Sequence, residues 1–60
     1  MKLLAAETKV EWQATIGNFE QARIELVIEL KGNPYYILRK KNDYGQYFFY
    51  LVPAHAVKEV

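Results

Sequence analysis

The chain has no cysteine, no serine and a single histidine, His55. Without cysteine, disulfides and thiolate metal sites are excluded, and one imidazole leaves no pair of histidines for zinc. A small domain without disulfides fits a reducing cytosol better than secretion, so the expected location is cytoplasmic. Nucleophilic catalysis is left with Thr8, Thr15 and the tyrosines, and a hydroxyl nucleophile needs an oriented base beside it. His55, flanked by alanines after Pro53, reads as a surface histidine in a turn. Glu25 and Glu29 lie four residues apart, roughly 13 Å on one face of a strand, too far for paired acid–base work. Gly17, Gly32 and Gly45 each stand alone at a turn, which rules out a glycine-rich phosphate loop. The expectation is a protein without enzymatic activity, metal or cofactor.

Long apolar runs are missing as well, and none approaches the eighteen or so residues a spanning helix needs. The opening Met1-Lys2-Leu3-Leu4-Ala5-Ala6 has a signal-like start, but its apolar part stops at Glu7, short of a secretory core. The chain is therefore expected to be intact and to have no membrane partner. Charge of one sign is also scarce, with a net value of +1. It is uneven: residues 1–30 hold three cations against five carboxylates, and residues 31–60 hold five against two. Such asymmetry marks either a polyanion-binding face or acidic and basic strands that neutralise each other, and neutralisation is the favoured reading here.

Aromatic and β-branched residues are abundant by comparison. Sixty residues make one domain, and at 60 residues folding buries only about 60% of the surface that the unfolded chain exposes. A core of that size rarely supplies more than about 3–5 kcal/mol without a staple, which leaves good packing or a self-associating partner. Residues 9–16 alternate, with Val10, Trp12, Ala14 and Ile16 on one side, and predict a half-buried strand anchored by Trp12. Residues 22–31 alternate too. A helix capped by Asn18 competes for them, but five apolar matches in a row (Ala22, Ile24, Leu26, Ile28, Leu30) favour a strand with all five facing one way. Gly32-Asn33 predicts a two-residue hairpin loop that sets Leu30 opposite Tyr35, Ile28 opposite Ile37 and Glu25 opposite Lys40. A strand over 35–41, a turn at Asn42-Asp43-Tyr44-Gly45 with Asp43 bonding back to the backbone, and a strand over 46–52 follow. Phe48, Tyr50 and Val52 share one face of that last strand. Tyr47, Phe49 and Leu51 share the other, so both faces are apolar.

Pro53 ends this strand, Ala54-His55-Ala56 is long enough only for a helical turn, and Val57-Lys58-Glu59-Val60 reads as a closing strand. The run Leu51-Val52-Pro53-Ala54-His55-Ala56-Val57 resembles the end of a Src-homology-3-like barrel. There a strand stops at proline, passes through one 3₁₀ turn and resumes at valine. The resemblance implies an all-β fold, either a small five-stranded Src-homology-3-like barrel or a strongly bent antiparallel meander, as a single domain over residues 1–60. Peptide-binding members carry an aromatic where Ala56 stands, an early acidic loop and a tryptophan in the third quarter. None of these is here, so the resemblance argues against capture of proline-rich peptides.

The stretch Tyr35–Tyr50 holds seven of the nine aromatic residues together with Arg39, Lys40 and Lys41. The expected function is a small binding module acting through an aromatic sheet face, with another protein or a second copy as partner. The alternative is DNA or RNA, with bases stacking on tyrosines while cations track phosphates. Tyr36, Arg39, Lys40, Lys41, Tyr44, Tyr47 and Phe49 are the candidate binding residues for either.

Overall fold

The computed structural model describes residues 2–60, so Met1 of the signal-like opening lies outside it. Five strands form: β1 (Lys9–Thr15), β2 (Asn18–Leu30), β3 (Asn33–Lys41), β4 (Tyr47–Pro53) and β5 (Val57–Glu59). A 3₁₀ turn over Ala54–Ala56 joins the last two. All pairings are antiparallel, in one sheet of order β4-β3-β2-β1-β5. The fold is thus all-β, and of the two expected forms it is the bent meander. The sheet does not close into a barrel, because β4 and β5 are both left as edges. Among the described residues no helix is long and apolar enough to cross a membrane.

The bend is visible in one contact. Trp12 on β1 and Tyr50 on β4 lie three strand spacings apart, about 14 Å in a flat sheet. Their ring centroids are 5.2 Å apart. The sheet therefore folds over its inner face and encloses Val10, Trp12, Ala22, Ile24, Tyr36, Leu38, Val52 and Ala54. Leu4 covers part of this core from the chain's opening segment, where its backbone N–H donates to the Tyr36 hydroxyl at 2.7 Å. The Glu7 N–H donates to the Ile24 carbonyl at 2.8 Å and ties the same segment to β2. Residues 2–6 add no strand of their own.

Two details differ from the alternation pattern, and both decide where side chains point. On β1 the inward set stops early: Val10 and Trp12 are buried, whereas Ile16 is 98% exposed at the tip of the β1–β2 turn. On β2 the pairing slips between Ile24 and Leu26, with Ile24 opposite Leu38 and Leu26 opposite Ile37. Leu38 and Ile37 are consecutive, so they face opposite ways, and Glu25 is the extra residue of a β-bulge. The bulge turns the rest of the strand over. Ala22 and Ile24 enter the core, while Leu26, Ile28 and Leu30 come out on the other face.

The β2–β3 loop also sits one residue earlier than Gly32-Asn33. Leu30 pairs with Asn33, and the two loop residues are Lys31 and Gly32, with φ of 51° and 81°. Both values are positive, as a type I′ turn requires, because its twist matches that of the flanking strands. Ile28 consequently faces Tyr35 instead of Ile37. A lysine at positive φ carries a steric penalty that asparagine largely escapes. Lys31→Asn restores the preferred Asn-Gly pair and is expected to stabilise the domain by roughly 0.5–1 kcal/mol in chemical denaturation. A neutral or destabilising result would contradict this turn geometry.

Candidate interaction face

The outward face of β2, β3 and β4 is built in rows, because antiparallel partners project to the same side. Leu26, Ile37 and Leu51 form one row across three strands, and Ile28, Tyr35 and Pro53 form the next. Arg39 stands beside Phe49, and Lys41 beside Tyr47. Phe49 is 58% exposed, Tyr47 and Leu51 each 53%, and Leu26 43%. No other element of the described chain covers them. The face is therefore apolar towards the β2–β3 turn and cationic towards the β3–β4 turn.

At the Pro53 end the rows run into an open hollow of about 330 Å³ lined by Asn33, Pro34, Tyr35, Pro53 and His55. His55 is exposed, in keeping with a histidine in a surface turn. At the other end, the β3–β4 turn is organised by Asn42 and not by Asp43. The Asn42 side-chain oxygen accepts from the N–H groups of Tyr44 and Gln46, each at 2.9 Å. The amide is one residue closer to the strand end than Asp43 and spans the turn from there. Tyr44 is left 89% exposed at the tip.

The cations are largely neutralised, though by partners other than a Glu25–Lys40 cross-strand pair. Glu25 occupies the bulge and accepts from Arg39 at 3.0 Å, and Arg39 also donates to Glu7 at 2.6 Å. Lys40 points to the inner face and pairs with Glu20. Glu29 makes no ion pair among the described residues. Lys41 has no carboxylate partner there either, but its ammonium lies 5.9 Å from the Tyr47 ring centre, with the Arg39 guanidinium at 5.7 Å. Both are within cation–π range. Arg39 and Lys41 thus both lie near the Tyr47 ring.

The hydrogen bond from Arg39 holds the Glu7 carboxyl below its ordinary value of 4.5 and raises Arg39 in return. A lowered carboxyl pKa contributes stability above the ordinary value, and that contribution is lost as pH falls through the lowered one. Glu7→Gln is expected to melt below the parent at neutral pH, with the gap closing in acid below 4.5. A gap of the same size at both pH values would mean that the pair does not couple folding to pH.

Of the seven candidate residues, the structure brings Arg39, Lys41, Tyr47 and Phe49 together on the outward face and leaves Tyr44 at its tip. Tyr36 is 2% exposed and belongs to the core, because it lies across from Val52 on the inward side. Lys40 alternates onto the same inward side. Sequence reasoning missed Leu26, Ile28 and Leu30, since a bulge leaves the alternation of residue types intact while reversing its direction. It also missed Glu7 and Glu20, whose pairings depend on how the sheet bends. No protein-family model, curated protein or solved structure matches this chain.

Proposed function

We propose that the chain is a non-enzymatic binding module that engages another protein through the outward face of β2–β4. One observation carries the reading: the rows Leu26–Ile37–Leu51 and Ile28–Tyr35–Pro53, extended by Phe49 and Tyr47, are left uncovered on one side of the sheet. Contiguous exposed apolar surface of this kind is rare on a soluble chain unless a partner covers it. Aromatic side chains with a flanking arginine are also the composition of interface centres. Oligonucleotide binding is the weaker reading. Tyr44, Lys41 and Tyr47 at the hairpin tip favour it, but Arg39 and Lys40 already have carboxylate partners.

A photo-cross-linking residue in place of Phe49 is expected to give discrete protein adducts in cells. The same residue in place of Gln13, exposed on β1, is expected to give none. An absence of adducts at Phe49, or equal yields at both positions, sinks the proposal. Titration with short labelled DNA and RNA at two salt concentrations tests the weaker reading, for which tight, steeply salt-dependent binding lost in Lys41→Ala is required.

A further inference from the structure

We infer that this chain pairs with a second copy of itself through β4, edge to edge and antiparallel, about a two-fold axis beside Tyr50. Edge pairing leaves that outward face open and joins two copies of it into one larger surface, and the inference rests on the reading of the face as a binding surface. Its first support is the contrast between the two edges of the sheet. The edge strand β5 has three residues, of which Lys58 and Glu59 are charged. The edge strand β4 has seven, Tyr47–Pro53, and none is charged. Unpaired N–H and C=O groups along an edge are a template for another strand, and monomeric proteins block such edges with charges, proline, bulges or brevity. On β4 the one such block is the terminal Pro53, and Tyr47–Val52 carry none, pairing with β3 in unbroken register.

The second support is self-complementarity. Overlapping all seven residues of two antiparallel β4 strands centres the pair on Tyr50. Phe49 then faces the partner's Leu51, Phe48 faces the partner's Val52, and Tyr47 faces the partner's Pro53. No like charges meet, because Arg39 and Lys41 stand one strand back from the axis. The outward rows run on without a gap, from Arg39 and Phe49 to the partner's Leu51, the partner's Ile37 and the partner's Leu26. Proline, which has no N–H to give, ends the ladder on both sides.

The third support is the hollow at the Pro53 end. In this register the ring of Tyr47 comes to rest on the partner's Pro53, at the mouth of a hollow of about 330 Å³. Its apolar wall is Pro34, Tyr35 and Pro53, and its polar rim is Asn33 and His55. A phenol has one apolar body and one hydroxyl that both donates and accepts, which suits such a lining. Symmetry makes the contact twice.

Sedimentation over a dilution series tests the inference. The parent is expected at twice its 7.0 kDa mass when concentrated and at 7.0 kDa when dilute. Leu51→Lys, which sets an ammonium against the partner's Phe49, is expected to weaken pairing by about 10-fold or more. Leu51 is half exposed, so its far-UV circular dichroism should remain that of the parent. The chain has no cysteine of its own. A mixture of Phe49→Cys and Leu51→Cys should therefore form an intermolecular disulfide faster than either variant alone, and this reads the register directly. A parent that stays at 7.0 kDa throughout overturns the inference, as does a dimer indifferent to Leu51→Lys or without the mixed disulfide. If the parent is monomeric while the Phe49 cross-linker still gives adducts of another mass, self-pairing fails and the binding face stands. If no adduct of any mass forms, the face itself fails.

Discussion

Trp12→Ala is expected to leave the chain largely unfolded at room temperature, read as loss of the two-state transition in near- and far-UV circular dichroism. Trp12 is 6% exposed, and its ring packs against Tyr50 across the fold of the sheet. It is one of the contacts across the bend, within the core that Val10 and Val52 share. Removing a buried tryptophan costs about 3–5 kcal/mol, because the lost transfer energy is joined by a cavity that the surroundings fill only in part. A domain of this length has about 3–9 kcal/mol of stability in total, at about 0.05–0.15 kcal/mol per residue. The loss is thus comparable with everything holding the chain together. Trp12→Phe keeps an aromatic body against Tyr50 and should retain a cooperative transition at lower stability. If Trp12→Ala melted like the parent, the inward contact with Tyr50 would be disproved.

Ile24→Ala and Leu26→Ala should differ strongly, although an alternation pattern treats the two positions alike. Ile24 is fully buried opposite Leu38, whereas Leu26 is 43% exposed opposite Ile37. The first substitution is expected to cost about 2–5 kcal/mol, as large-to-small changes in a core do. The second is expected to cost about 0.5–1 kcal/mol, closer to a surface change. Denaturant titration of both variants measures the difference. Equal losses would restore an uninterrupted inward row along β2 and eliminate the bulge at Glu25.

The two positions also show how far residue pattern alone reaches. Alternation of apolar residues identified β2 as a strand against a plausible capped helix, because Ile24 and Ile28 would fall off the helical stripe of Ala22, Leu26 and Leu30. It placed most strand ends and turns to within a residue or two, since glycine, proline and asparagine mark backbone conformations directly, but β2 starts at Asn18, four residues before the expected 22. It could not locate the bulge. A bulge is settled by which of two adjacent cross-strand pairings packs better, and that depends on residues eleven or more positions away. The same holds for the ion pairs. Composition implied that carboxylates would neutralise the cations, but Glu7 reaches Arg39 only because the opening segment is tied to Ile24 and Tyr36.

For the candidate face, residue type indicated Tyr47, Phe49 and Leu51 as one side of a strand with two apolar faces. Only the bend of the sheet decided which side is enclosed. Trp12 meets Tyr50 on the inside, so Phe49 and Leu51 are left outside, and the bulge adds Leu26, Ile28 and Leu30 to them. Tyr36 went the other way, into the core. Local chemistry thus determined most of the strands and turns and the all-β class, because those follow from each residue's own backbone and side-chain preferences. Tertiary structure decided facing, pairing and exposure, because a period-two strand has two equivalent sides until something long-range fills one of them.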